Sequence, residues 1–588
     1  MNLFQLYCET YNPQLDVPNL GSMFAIKDID KWIDTLLQAM EQQITIVSDY
    51  DADGVCAYKV ADYFFKLLGK SANVYIPQTS DGYGLSPASV DKLMQLYPDT
   101  QVILTLDNGI NAAPGVDHSR LKYRVSTIVC DHHIGHPDTY PTSALSTICP
   151  HRHDAGDETS EQYRIACGTT VAFYLFNAYL QNAIINQLQM IDFKMKSSDF
   201  KHNLDNYRQW DYDKFRQLIL SLDLKSLDND LIALIQAYQD FQQIIPLCHI
   251  ANFADVMPMT HTNRKLAQMA VEMYQNHLFN HHSSLDGLYS NLRQLLGYNF
   301  DLSKMGWNVT PLLNAPRRMY GDPTLAYQFI NGESVIEQLM NCNEERKTQS
   351  EEQFQAIKSM HHQQFVDAKA NGQKVMICMY EQLNVGLAGL IASKLVREYQ
   401  LATIVVNTNG SGSGRAPSNF NLNQWLTAIK GSYKQVQGGG HASAVGCTIP
   451  PELVEPILRD PLTHSNAFES HSEPVARATI RLTQSPTLED WIVFENELEN
   501  YLPFCDELPE PIFQLTLPKS DCDHQLMGKT KNHLKLTYDG VSFIQWGGAQ
   551  QFLEAIGTQL ITVSGNFQIN EFRNQKSLQL LIQSVEYA

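Results

Sequence analysis

The sequence predicts an α/β protein with two successive α/β lobes and a small β-rich domain after them. Three observations carry this reading. In the first 150 residues, short β-branched apolar runs alternate with helical patterns, the signature of a parallel sheet with helices on its faces. A long polar helical pattern from Glu333 to Lys369 then leads into a second strand–helix–strand unit. From Ile512 onward, short strands separated by turn residues replace the helices.

Ile44-Thr45-Ile46-Val47-Ser48 reads as a buried strand that stops at Asp49, Asp51 and Asp53, followed by Gly54 and an apolar helix to Leu68. A second strand is expected over Val74–Pro77, and a helix over Ser86–Leu96 with Ser86 as cap and Pro87 in the first turn. Gln101–Leu106 is a third strand ending in Asp107-Asn108-Gly109. Ser126–Cys130 is a fourth, ending in Asp131-His132-His133. Three strands thus deliver carboxylates or imidazoles to one edge of one sheet, where open α/β sheets bind ligands.

Between Gln181 and Ile245 the chain is rich in Gln, Asp, Lys and aromatics and free of Gly and Pro. Helices are expected over Leu218–Leu224 and Asp230–Phe241, as a solvated insertion in preference to a partner-binding one. Pro246–Pro258 returns to an apolar stretch carrying Asp255. The second lobe is expected as strand Val375–Met379, helix Leu387–Tyr399 and strand Ala402–Val406. Two glycine-dense loops follow, Ser411–Arg415 and Gln437–Gly446, in which bare backbone amides beside Arg415 and His441 suit an anion.

The strands expected at the C-terminal end are Ile512–Leu517, His533–Tyr538, Val541–Trp546, Leu560–Phe567 and Ser577–Val585, with Asp539-Gly540 as a hairpin turn. Five strands in about eighty residues fit a small Greek-key barrel of the oligonucleotide-binding (OB) kind. Lys529, Lys531, Lys535, Trp546, Phe572, Arg573 and Lys576 offer charge and stacking surface for a single strand.

The chain has 588 residues, 44% hydrophobic and 18% charged, so three or four globular domains are expected. It has no 18-residue apolar run and no basic-then-apolar leader, and its 11 cysteines are scattered singly. The expectation is a cytoplasmic protein with reduced thiols, no membrane span and no structural zinc. A net charge of −20 argues against broad coating of nucleic acid but not against a locally basic channel.

Asp49, Asp51, Asp53, Asp107, His132 and Asp255 form a carboxylate-plus-imidazole set suited to two divalent ions, Mn2+ or Mg2+ in preference to Zn2+. Such a pair activates water and neutralises charge on a phosphodiester. Asp107 and His132 are the candidate catalytic ligands, with Asp131 expected to orient His132 and His133 to touch the phosphate.

The ordered motifs Asp49-Tyr50-Asp51-Ala52-Asp53-Gly54, Leu106–Ile110, Asp131-His132-His133 and Ala254-Asp255-Val256-Met257-Pro258 resemble those of the DHH phosphoesterase superfamily, and within it the RecJ-like single-strand-specific exonucleases. Ser80–Ser86, Ile165–Tyr174 and Gly438–Gly446 look like further family segments, and Pro503–Phe513 with Gly565–Phe572 looks like the family's OB domain. The resemblance implies a metal-dependent 5′→3′ exonuclease of single-stranded DNA in repair or recombination. It further implies a catalytic lobe and an associated lobe joined by a long helix, with Asp107 bridging the metals. Ser413 and Arg415 match a segment that binds the 5′ phosphate or nearby backbone; Gly439, Gly440, His441, Asn314 and Arg318 are further candidate contacts. Three departures stand out: Val47 occupies a place where many members have His, with Asp49 filling that coordination role; Leu312 stands where the family has Arg; and the Arg usual shortly after Pro77 is missing.

The expected domains are 1–300, catalytic, with the insertion at about 181–245; 301–370, connecting segment and long helix; 371–460, DHH-associated; and 461–588, linker and OB fold. Single-stranded DNA is the expected partner, with replication or repair proteins able to dock on the insertion or the C-terminal domain. A phosphodiesterase of short RNA or dinucleotides and a non-catalytic replication scaffold are the competing readings.

Overall fold

The computed structural model describes the chain apart from residues 1, 14, 16, 17, 83, 157, 196–203, 205, 278–283, 299–303, 470–477, 503, 505–507, 529, 530, 573 and 574. Tyr83, Pro503, Lys529 and Arg573 of the sequence reading therefore lie outside the described residues. The chain divides into two compact units. The larger comprises 20–257 and 269–474, the smaller 1–19, 258–268 and 475–588. These bounds differ from the expected 1–300 domain, because the helix Leu3–Tyr11 buries Leu3 and Tyr7 in the core of the smaller unit.

The larger unit holds two sheets. In the first, β1 (Ile44–Ser48), β2 (Asn73–Tyr75), β3 (Val102–Leu106), β4 (Ser126–Cys130) and β5 (Ser146–Ile148) run parallel in the order β2-β1-β3-β4-β5. Both β1 and β3 are buried along their whole length, which explains their unbroken β-branched runs. Strand order reverses between β1 and β3, so a crevice opens beyond their carboxyl ends. Helix Ala52–Leu67 starts directly after β1, capped by the Asp51 side chain on the Asp53 and Gly54 amides.

The insertion differs from expectation. Its start is the end of the helix Gly168–Met195, and in place of the helix expected over Leu218–Leu224 stands Tyr212–Ser221, capped by Asp211. Helix Asn229–Phe241 is not simply solvated: Phe241 is fully buried and stacks on Phe173 with ring centroids 5.6 Å apart. The apolar stretch 246–258 is the helix Ile245–Ala254, whose C-terminal end delivers Asp255.

The helix Ile336–Ala370 runs 35 residues to the second sheet. There, β6 (Val375–Met379), β7 (Ala402–Val406), β8 (Ser411–Arg415), β9 (Gln437–His441) and β10 (Ala444–Thr448) lie in the order β6-β7-β8-β10-β9, with only β6 and β7 parallel. The two glycine-dense segments are thus strands, not loops. Glycine is there for close approach: a Cβ on Gly412 would lie 1.9 Å from the Val405 carbonyl oxygen, and one on Gly438 2.3 Å from that of Gly446.

In the smaller unit, β11 (Thr479–Arg481), β12 (Ile512–Pro518), β13 (Asp523–Met527), β14 (His533–Tyr538), β15 (Val541–Gln545), β16 (Leu560–Phe572) and β17 (Gln575–Tyr587) form one sheet in the order β11-β12-β16-β17-β15-β14-β13. All five expected strands are present, with two more. The sheet does not close on itself, so a barrel is not formed by its pairing among the described residues. Residues 258–268 are tied to this unit through Gln268, whose amide donates to the Asn500 and Leu502 carbonyls.

Candidate metal centre and its cleft

Every acid and imidazole singled out for the metal centre comes to the carboxyl edge of the first sheet. Asp49 leaves β1, Asp107 leaves β3, and His132 and His133 follow β4. Asp107 adopts a left-handed backbone, φ 61°, a conformation Asp tolerates better than most residues. It turns the carboxylate toward Gly168, where a Cβ would lie 2.3 Å from Asp107 Oδ1. Gly168 and Thr169 open the helix Gly168–Met195, and their amides donate to the Asp53 carboxylate at 2.7 and 2.8 Å. A helix start thus fixes one candidate ligand and leaves room for another.

The ligand atoms of three sets lie within 4.8 Å of one another: Asp49, Asp51 and Asp107; Asp53, His132 and Asp255; Asp107, His132 and His133. Asp107 and His132 each belong to two sets. His132 Nε2 is 3.2 Å from Asp107 Oδ1, 3.3 Å from Asp255 Oδ2 and 3.8 Å from Asp53 Oδ2, yet Nε2 and Asp107 Oδ1 are buried without a hydrogen-bond partner.

Burial and the neighbouring Asp53 and Asp51 charges push the Asp107 carboxyl well above its usual range. Burial and Asp51 do the same to Asp49, and burial with Asp53 raises Asp255 to about 6. Burial alone would lower the His132 imidazole, but Asp255 and Asp53 outweigh it and raise it to about 9. Carboxylates crowded against one another with orphaned donor atoms are what divalent cations relieve, and an oxygen-rich set with one or two imidazoles fits Mn2+ or Mg2+.

Asp131 differs from its expected role. Its carboxylate accepts from the Ile110 and His132 amides, and Oδ1 meets the His133 ring at Nδ1, 2.8 Å away. It therefore orients the ring of His133 and touches His132 only through the backbone. Burial would lower His133, but the Asp131 charge raises it to about 10. Reciprocally, His133 holds Asp131 down at about 2 against its burial.

His133 and Asp131 line a cleft of about 1020 Å³ whose opposite wall carries Gly438, Gly439, Gly440, His441 and Lys430 from the second lobe. Burial, then the charges of His133 and His132, lower His441. Arg415 and Ser413 sit on β8. The Arg415 guanidinium lies against Gly389, where a Cβ would be 2.7 Å from Nη2. Arg318 is pulled down to about 10 by burial and by Arg317, Arg415 and Arg346 around it. Asn314 is committed elsewhere: its Oδ1 accepts from the Ala52 amide at 3.3 Å, tying its helix to the metal loop. Leu312 is buried. In the smaller unit, Trp546 is 65% exposed with His533 edge-on at 4.9 Å. Lys531 is exposed, and Lys535 half-buried.

Residues 43–198 match the model of the DHH family N-terminal domain, 372–460 that of the DHHA1 domain, and 491–584 that of the RecJ OB domain. The chain thus carries a DHH-family N-terminal domain, a DHHA1 domain and a RecJ OB domain, in that order. The DHH match contains all the candidate ligands above except Asp255, and the DHHA1 match contains the glycine-rich wall.

The chain is 24% identical to the single-stranded-DNA-specific exonuclease RecJ of Haemophilus influenzae and 23% identical to that of Escherichia coli, each over 95% of this chain and 90% of the relative. The fold is that of RecJ from Thermus thermophilus, solved in complex with Mn2+: TM-score 0.67 and 18% identity over 98% of this chain and 73% of that one. A Mg2+ complex of the same protein gives a TM-score of 0.62 over 95% of this chain and 70% of that one, at 16% identity.

Sequence reasoning missed Arg317, Arg346 and Lys430. Arg317 and Arg346 come from separate helices and both act on Arg318 only in the fold, so no spacing rule joins them.

Proposed function

We propose that the protein is a metal-dependent 5′→3′ exonuclease that hydrolyses phosphodiester bonds of single-stranded DNA, acting in the cytoplasm in repair or recombination. The observation that carries this is the sharing of Asp107 and His132 between ligand sets while both keep a buried donor atom without a hydrogen-bond partner. The relatives named as single-stranded-DNA-specific exonucleases support the choice of substrate, and the RecJ OB match favours a long strand over dinucleotides. No helix among the described residues is long and apolar enough to cross a membrane.

In this reading Asp49, Asp51 and Asp107 hold one ion, and Asp53, His132, Asp255 and Asp107 the other. Two Mn2+ or Mg2+ ions bound there supply an activated water and neutralise charge developing on the phosphodiester. The His133 imidazolium, kept protonated and aimed by Asp131, donates to a phosphate oxygen in the cleft. Arg415, with Ser413 and His441, holds the terminal 5′ phosphate. Trp546, Lys531 and Lys535, with Lys529, grip the strand further along.

The test is hydrolysis of end-labelled single-stranded DNA, duplex DNA and RNA with Mn2+ or with chelator. Mononucleotides released from the 5′ end of single-stranded DNA, in Mn2+ only, are expected. RNA cut faster than DNA would replace the substrate assignment.

A further inference from the structure

We propose that Arg317 is a catalytic residue that clamps the phosphodiester being cut, between the metal centre and the arginines of the second lobe. The proposal rests on the exonuclease reading and adds a group that no metal or terminal-phosphate role requires.

Asn314 and Arg317 are three residues apart on the helix Thr310–Tyr320, hence on one face. Asn314 holds the Ala52 amide. The guanidinium carbon of Arg317 lies 4.3 Å from the centre of the Tyr50 ring, so the same helix face addresses both sides of Asp51. A cation resting on an aromatic face keeps its planar fork oriented, and Arg317 also hydrogen-bonds Tyr50, which anchors one edge of the fork. Arg317 Nε is buried without a hydrogen-bond partner.

The surroundings point to an anion. Arg318 follows directly, and Arg346 and Arg415 are close enough to act on it. No salt bridge joins any of the four to a carboxylate among the described residues, although the Asp51 charge of the metal side reaches Arg318. Four guanidinium groups gathered in a partly desolvated site repel one another until an anion enters. The charge of Arg317 also reaches Asp49, where it opposes the upward push of burial and Asp51. Arg317 therefore lies on the metal side of the cluster, where the anion is the phosphate undergoing attack. A guanidinium carries five N–H donors, so the fork has donors beyond the Tyr50 contact for two oxygens of that phosphate.

A residue that merely supported the Asp49 loop would lower metal affinity when removed. A phosphate clamp would not, because deleting a cation beside the ions leaves their affinity equal or tighter. The test uses the full-length protein with Arg317→Ala and Arg317→Lys, on single-stranded DNA and on bis(4-nitrophenyl) phosphate, which has neither base nor terminal phosphate. Mn2+ affinity is measured by calorimetry alongside.

Arg317→Ala should lower kcat on both substrates by about a hundredfold or more, leave Mn2+ binding no weaker, and regain activity with added guanidinium chloride. Arg317→Lys, which keeps the charge and loses the fork, should lose about tenfold and carries the test alone if the Ala variant does not fold. Either variant within about threefold of wild type, or Mn2+ affinity falling in step with kcat, overturns the proposal. A wild type inert with Mn2+ would overturn the exonuclease reading together with it, whereas an active wild type with unaffected variants would overturn this proposal alone.

Discussion

The two walls of the cleft come from two α/β lobes and are built in opposite ways. On the DHH side the functional groups stand at the ends of buried parallel strands, where Asp49, Asp107 and His132 are almost wholly enclosed. On the DHHA1 side they lie along antiparallel strands made largely of glycine, where β9 is exposed at four of its five residues. The first wall concentrates negative charge at the cost of burying it, so it suits small cations. The second exposes backbone beside Arg415, His441 and Lys430, so it suits a bulky anion. A phosphodiester strand needs both, and the contrast predicts which substitutions act on chemistry and which on recognition.

The largest effect should come from the acid wall. Asp107→Asn keeps a residue that tolerates the left-handed backbone while removing the shared charge. Turnover in Mn2+ should fall by about a thousandfold or more, with the circular dichroism spectrum unchanged. Turnover within about tenfold of wild type would mean that Asp107 is not shared between ions.

Next comes the basic wall. Arg415→Ala should lower activity on 5′-phosphorylated ends by about ten- to a hundredfold, the worth of one charge-assisted contact. Much less should be lost on 5′-hydroxyl ends, which never offered the partner. Equal losses on both kinds of end would move Arg415 from the terminal phosphate to the internal backbone.

The acid wall should also respond to pH in the metal-free protein. His132 and His133 are raised to about 9 and about 10 in the folded state, above an unfolded value of about 6.5. Their stabilising contribution is complete below about pH 6.5 and is lost as pH rises through 9 to 10. The raised carboxyls of Asp107, Asp49 and Asp255 act in the same direction at lower pH. The melting temperature without metal should therefore fall from pH 6 to 10. Mn2+ affinity should rise over the same range, because the His132 proton must leave before the ion binds. Calorimetric titration at several pH values reads both trends, and a pH-independent affinity would remove His132 from the ligand set.

The smallest effect sharpens the glycine wall. A Cβ at Gly446 meets nothing within 4 Å, whereas one at Gly438, φ 134°, meets the Gly446 carbonyl oxygen. Gly446→Ala should leave stability within about 0.5 kcal/mol of wild type in urea unfolding. Gly438→Ala should be clearly destabilising, by about 1 kcal/mol or more. Equal responses would mean that the β9–β10 pairing is looser than drawn.

Much of this architecture was legible in the sequence because the relevant signals are local. A buried parallel strand needs an unbroken apolar run, and the residues after it fall at the carboxyl edge whatever the rest of the chain does. Ile44–Ser48, Val102–Leu106 and Ser126–Cys130 therefore announced both the sheet and the place of Asp49, Asp107 and His132. The long helix and the C-terminal strands were legible for the same reason of period. Glycine misled the reading of β8 to β10, because its local preference for loops is overridden when strands need backbone to approach backbone. Other features were decided only by tertiary structure. Asp131 turned to His133 rather than the His132 ring because the chain after β4 brings that Nδ1 within 2.8 Å. The helix Leu3–Tyr11 joined residues 502 positions away, where Tyr7 donates to the Pro509 carbonyl. Arg317, Arg318, Arg346 and Arg415 came together from two helices and a strand, since charge clustering across elements depends on where lobes meet and leaves no periodic trace in the chain.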